Sequence, residues 1–177
     1  MTTIRQHTVD SPAADSPLAG KYMTFKLASE EYGVPILKVR ELIGLMEITT
    51  IPSAPEFVRG IINLRGKIIP VLDLRLRFGL PISDDTSQAV IIVTQLASPV
   101  GPLTMGVLVD QVLEVRTIEA AHIEPSPRFP GDGCTEFVLG VGKADARVIL
   151  LLDIERVLAP ARAPLLNEVL KQEPNNV

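Results

Sequence analysis

Tryptophan is absent from this 177-residue sequence, aromatic residues make up only 4% of it, and it holds one cysteine and two histidines. With so few rings, Val, Ile and Leu must fill whatever core forms, and those side chains favour strands. A lone Cys134 excludes an internal disulfide framework and suits a reducing compartment, as an ordinary loop or edge residue. His7 and His122 stand in a polar tail and a loop, without metal-ligand spacing around them, and take no assigned role. No excess of basic residues exists either. The net charge is -4 and the pI near 5.2, which argues against a nucleic-acid partner, whose phosphates need a basic face. Long apolar runs are missing too: stretches such as Val148 to Leu152 stop at charges, far short of the ~20 residues that cross a bilayer. Residues 1–19 are polar and read as a flexible tail with no secretory core, so the expected protein is soluble and cytoplasmic, without membrane insertion.

What the chain does have is a repeat. Glu56 to Asp73 (EFVRGIINLRGKIIPVLD) aligns without gaps on Glu136 to Asp153 (EFVLGVGKADARVILLLD), 80 positions on, with Glu56, Phe57, Val58, Gly60, Ile69, Leu72 and Asp73 each meeting their own kind. A second match, offset 73, lays Gly33, Val34, Val39, Glu41, Pro52 and Ser53 over Gly106, Val107, Val112, Glu114, Pro125 and Ser126. The seven extra positions fall in RFPGDGCT, residues 128–135, which read as a longer loop. Two halves on one plan are therefore expected, at about 20–81 and 88–159, with strands allowed to cross between them.

Each half carries the marks of a small β unit. KYMTFKLA alternates Tyr22, Thr24 and Lys26 outward against Met23, Phe25 and Leu27 inward, the period of a half-buried strand. Glu30 to Gly33 reads as a turn, and ILKVRELI as either a short helix or a further strand. Residues 60–64 and 67–72 read as two strands joined at Arg65-Gly66, where glycine supplies the positive φ of a tight hairpin. Asp73 reads as the N-cap of a brief helix closed by Gly79 and stopped by Pro81, and Asp153 repeats it. Short strands and short helices in two copies predict a mostly β protein of twin barrels, since closure removes sheet edges.

The apolar hairpin GIINLRGKIIP fits neither a phosphate loop nor a catalytic corner. Its glycines are too far apart and lead into a strand, not a helix. No histidine is placed to serve a nucleophile, and the acidic pairs Glu30-Glu31 and Asp84-Asp85 lie in turn sequence, so no reaction is expected. Arg75 and Arg77 read as a solvated helix face. Arg65 differs from its counterpart Asp145, so the fold does not require it: it is either a solvated turn residue or a planar donor offered to a partner.

The segments EEYGVPILKVREL, IPSAPEFVRGIINLRGKIIPVLDLRLRFGL, GVLVDQVLEV and VILLLDIERVL occur in order from Lys21 to Leu158, and together they resemble the CheW family of chemotaxis coupling proteins. The resemblance implies two SH3-like five-stranded β-barrels with a few short helices, no enzymatic activity and no cofactor. It implies a cytoplasmic scaffold that joins the cytoplasmic tip of methyl-accepting receptors to the regulatory domain of a CheA-type histidine kinase, recruited to membrane arrays. By matching positions it places Glu41, Arg65, Val112 and Val115 on the receptor-facing surface and Val39 and Gly60 at kinase coupling. Val112 and Val115 also fit an inward-facing core, and Gly60, repeated by Gly140, fits a purely backbone role. Two departures stand out: a long 96–106 loop, and a tail at 160–177 whose Leu165, Leu166, Val169 and Leu170 suit an amphipathic helix. Two other readings stay open, a CheW-like adaptor of a non-chemotactic kinase pathway and a β-barrel sensor of a small ligand.

Overall fold

The computed structural model describes residues 17–81, 87–99, 101–126 and 136–159. Among them, β1 (Gly20–Leu27), β2 (Glu30–Pro35), β8 (Gln111–Ile118), β9 (Ile123–Pro125), β10 (Val138–Ala144) and β11 (Arg147–Leu152) form a six-stranded sheet in the order β8-β1-β2-β11-β10-β9. The second sheet, β3-β6-β7-β5-β4, is built from β3 (Val39–Gly44), β4 (Val58–Leu64), β5 (Lys67–Asp73), β6 (Val90–Leu96) and β7 (Leu103–Val109). Two short helices follow the long hairpins: α1 (Leu74–Arg77) and a helix at 154–159.

Each sheet closes around its own small core. In the five-stranded one, Ile62 of β4 and Ile69 and Val71 of β5 meet Ile91, Val93 and Leu108, while Ile43 of the opposite edge strand β3 packs on the same cluster. In the six-stranded one, Ile118 and Ile123 from its two edges pack with Tyr22, Ile149 and Leu151. When both edges of a sheet line one core, the sheet is a barrel. A third and larger core, with Met23, Phe25, Leu27, Val58, Leu72, Met105, Val107, Leu152 and Val157, lies between the barrels and draws on both.

The repeat boundary and the sheet boundary do not coincide. β1 and β2 belong to the first half of the sequence yet join the barrel of β8 to β11, and β6 and β7 join that of β3 to β5. The halves exchange their leading hairpins, and the exchange is sealed by parallel pairs, β2 with β11 (Gly33 opposite Leu151) and β7 with β5 (Gly106 opposite Val71). Those two pairings are the same positions of the repeat.

Two readings are overturned. Tyr22 and Thr24, expected to face outward, are buried, because β1 runs between β2 and β8 with a barrel core on one face and the shared core on the other. Glu30 to Gly33 are strand, not turn; the turn is Ala28-Ser29, and Glu31 is buried with its carboxylate 2.8 Å from Arg147. Residues 36–44 are both of the alternatives in succession, a 3-10 turn over Ile36–Lys38 and then β3. The hairpin at Arg65-Gly66 and both Asp caps stand as expected: Asp73 Oδ1 accepts from the Arg75 and Leu76 N–H groups, Asp153 Oδ1 from those of Glu155 and Arg156. The loop expected at 96–106 is shorter: Leu96 ends β6 and pairs with Leu103, where β7 begins, and the connection between them holds a turn from Ser98 to Gly101. Residues 1–16, Cys134 and the 160–177 tail lie outside the described residues.

Arg75 is also not a solvated helix residue. Its Nε and Nη2 grip both oxygens of Asp110 at 2.7 and 2.5 Å, and Asp110 Oδ2 also accepts from the Ala28 N–H at 2.7 Å. Asp110 sits where the chain passes from β7 in one barrel to β8 in the other, so this clamp pins the crossing. Burial alone would raise the Asp110 carboxyl, but the hydrogen bonds from Arg75 and Ala28 and the guanidinium charge outweigh it and leave it below the usual carboxylate range. A folded-state pKa below the unfolded one contributes stability above the unfolded value and loses it as pH falls toward the folded value. Asp110→Asn is therefore expected to cost about 1–3 kcal/mol at neutral pH. Its urea midpoint should fall less than the wild type's between about pH 5 and pH 3; equal acid slopes for the two proteins would contradict this.

Candidate protein-interaction surfaces

β3 is an edge strand, and its residues divide by face. Val39 packs on the shared core, Ile43 packs inside the five-stranded barrel, and Leu42 remains 41% exposed. β8 is the edge strand of the other barrel, and the 73-residue offset carries Val39 onto Val112 and Leu42 onto Val115. The structure treats the pairs alike: Val112 packs on the shared core and Val115 is 47% exposed. Of the two residues whose facing was open, Val112 is mostly inward and Val115 outward. The same rule covers Ile68 and Val148, equivalent at offset 80 and both exposed. Exposed aliphatics repeated at matched positions of two barrels are a patterned surface rather than scattered leakage.

Each barrel mouth is closed by an ion pair. Arg65, at φ +53 in the hairpin, reaches across to Glu41 on β3, while the Gly66 N–H is held by Asn63 Oδ1 at 2.9 Å. The guanidinium stays 72% exposed, so the pair itself stabilises by no more than about 1 kcal/mol. In the six-stranded barrel the hairpin turns through Asp145 and Ala146, at φ +48 and +63, and Asp145 lies 3.2 Å from Arg116 on β8. Strand acid with hairpin base in one barrel becomes strand base with hairpin acid in the other. Glu114 adds a second contact to Arg116 at 2.7 Å, and these two carboxylates raise its pKa, Glu114 contributing most. A cavity of about 690 Å³ opens beside this second mouth, lined by Arg116, Lys143, Asp145, Arg147 and His122 among others.

The structure thus brings Glu41 and Arg65 together and puts Val112 and Val115 on the matching strand of the other barrel. Gly60 is buried on β4, where the backbone of Thr49 bridges to Ile61 at 2.8 and 2.9 Å. A Cβ on Gly60 would stand 2.1 Å from the Thr49 carbonyl oxygen, at φ +149. The backbone reading of this glycine is therefore sufficient for its presence. Sequence reasoning missed Arg116. The signal was available: at offset 73 it replaces Ile43, two residues beyond the Glu41 and Glu114 match, on the strand that faces the hairpin tip. Among the described residues no cluster of three or more His, Cys, Asp or Glu is arranged to hold a metal, and no helix is long and apolar enough to cross a membrane.

Comparison with known proteins places these features. Residues 21–162 match the family model of the CheW-like domain. The chain is 35% identical over 162 residues to the chemotaxis protein CheW of Klebsiella aerogenes, covering 91% of this chain and 95% of that one. It is 36% identical over 135 residues to the CheW of Rhizobium meliloti, covering 76% and 84%. The crystal structure of the scaffolding protein TtCheW from Thermoanaerobacter tengcongensis superposes with a TM-score of 0.70 at 38% identity, covering 81% of this chain and 90% of that chain.

Proposed function

The chain belongs to the CheW-like family and has the role of a chemotaxis adaptor, and from that premise we propose that it works without catalysis, by holding the cytoplasmic tip of a methyl-accepting receptor and the regulatory domain of a CheA-type kinase at once. The observation that carries this reading is the duplication with unequal mouths. Two barrels offer the same aliphatic positions, Leu42 and Val115, beside ion pairs of opposite order, so one small chain has two related but distinguishable faces.

In this proposal Glu41, Arg65 and Val115 contact the receptor, with Val112 supporting that face from beneath. An exposed aliphatic beside a planar guanidinium suits the apolar stripe and carboxylates of a helical tip. Val39 and Gly60 belong to the kinase-coupling side, Gly60 through the backbone of β4 rather than by contact. Recruitment to membrane arrays would follow from receptor binding alone. The two-barrel unit at 20–159 is the part that docks.

Co-sedimentation tests the reading. The full chain should pellet with receptor-bearing membranes, and more of the kinase should pellet when the chain is present. A folded chain that pellets with neither would contradict the proposal; one that retains a kinase only from a different, non-chemotactic receptor set would move the same mechanism to another pathway.

A further inference from the structure

Beside the shared core, one arginine touches the roots of both long hairpins. Phe57 and Phe137 are equivalent in the repeat, and each roots its long hairpin in the same way, its carbonyl accepting from the N–H of the capping Asp73 or Asp153 at 2.7 and 2.8 Å. The Arg77 guanidinium carbon lies 5.4 Å from the centre of the Phe57 ring and 4.2 Å from that of Phe137. Its Nε donates to the backbone oxygen of Val157 at 2.9 Å. Val157 is Arg77's own counterpart at offset 80, and it is fully buried. A perfectly repeated sequence would put a second guanidinium there, and two like charges at one crossing repel. The chain instead keeps one cation and gives it both rings.

The contact extends into an aromatic column. Phe137 stacks on Phe78 at 5.9 Å, Phe78 lies 5.5 Å from Tyr32, and Tyr32 stacks on Phe25 at 5.8 Å. The column therefore runs from the exchanged hairpin β1-β2 to the root of β10, with Arg77 at its end. Apart from the Arg75–Asp110 clamp at the β7-β8 crossing, the shared core is mostly aliphatic, and aliphatic packing tolerates small shifts that a guanidinium held between two rings and a carbonyl does not.

We propose that Arg77 is a positioning residue: it fixes the angle between the two barrels, and hence between the Arg65 and Asp145 mouths, by tying together the roots of the hairpins that carry them. This rests on the two-faced adaptor reading for its functional consequence, but not for its structural one. The proposed receptor residues lie on both barrels, Glu41 and Arg65 on one and Val115 on the other, so their joint use needs a set angle, whereas Val39 and Gly60 lie on one barrel and do not.

The test separates the two. In a Cys134→Ser background, spin labels at Lys67→Cys and Val148→Cys report the distance between the barrels, a readout independent of any partner. Arg77→Leu should broaden that distribution about twofold, with Arg77→Lys, which keeps a cation over the rings, close to wild type. In the receptor and kinase mixture, Arg77→Leu should bind the kinase alone within about twofold of wild type yet lower receptor-dependent kinase activation by about tenfold. An unchanged distance distribution for a folded Arg77→Leu would overturn the proposal. So would a loss of kinase binding alone as large as the loss of activation, since that means general damage. If the wild type itself fails to activate kinase, the adaptor reading falls, and the distance measurement still decides the role of Arg77.

Discussion

Gly60→Ala is expected to destabilise this protein by about 3–5 kcal/mol, enough to leave much of it unfolded at 37 °C. Two costs combine. The added Cβ would lie 2.1 Å from the Thr49 oxygen and 2.7 Å from its carbonyl carbon, and these are backbone atoms held by the paired Thr49–Ile61 hydrogen bonds, so they cannot yield without breaking the bridge. The φ of +149 is also one that an L side chain rarely adopts. Gly140 supplies the internal control. A Cβ there meets the Glu124 oxygen at 2.9 Å and Leu18 Cδ1 at 3.1 Å, and one of those neighbours is the end of a flexible side chain. Gly140→Ala should cost about 1–2 kcal/mol. Urea denaturation of the two variants beside wild type checks the order. Equal midpoints for both would remove the steric argument, and with it the claim that Gly60 acts on kinase coupling through the backbone.

The second large effect is functional and should leave stability nearly untouched. Arg65→Ala is expected to abolish most receptor-dependent kinase activation, by about tenfold or more if the guanidinium pairs with a carboxylate at a desolvated contact. Its unfolding midpoint should move by less than about 1 kcal/mol, because the pair with Glu41 is exposed. The hairpin itself survives: the equivalent turn is made by Asp145-Ala146, so the backbone does not depend on arginine. Asp145→Ala provides the contrast, losing the opposite-sign pair with Arg116 at the other mouth. Full activation by a folded Arg65→Ala protein would sink the receptor-facing assignment.

Features that rest on local chemistry were legible in the sequence. The Asp73 and Asp153 caps, the Arg65-Gly66 hairpin and the strands on either side of it need only neighbours within a few residues, so residue type and spacing suffice. The repeat was legible too: matching Val39 with Val112 and Glu41 with Glu114 paired strands that the structure makes equivalent edges. A crossing of strands between the halves was allowed for, but which hairpins exchange was not legible. It depends on parallel pairs between residues more than 30 or 100 positions apart, such as Val71 with Gly106 and Gly33 with Leu151, and no periodicity records which copy a strand will join.

The misread residues follow from that one gap. Tyr22 and Thr24 alternate like a solvent face but meet a second barrel core, and Thr24 satisfies its hydroxyl on the Glu114 carbonyl at 2.7 Å. Arg75 and Arg77 looked solvated because charge on a short helix usually is, whereas two of their partners, Asp110 and Phe137, come from the other half of the chain. For the candidate site, the resemblance put Arg65 and Glu41 on one surface; that they touch required the barrel to close.

The central claim is that this chain transmits a receptor's state to a kinase by holding both. Kinase autophosphorylation, measured in receptor-bearing membranes with and without the full chain and with and without attractant, tests it most directly. The account predicts stimulation that requires the chain and disappears when attractant is added. Kinase activity that is the same with and without a folded chain, in membranes to which both proteins bind, would contradict it.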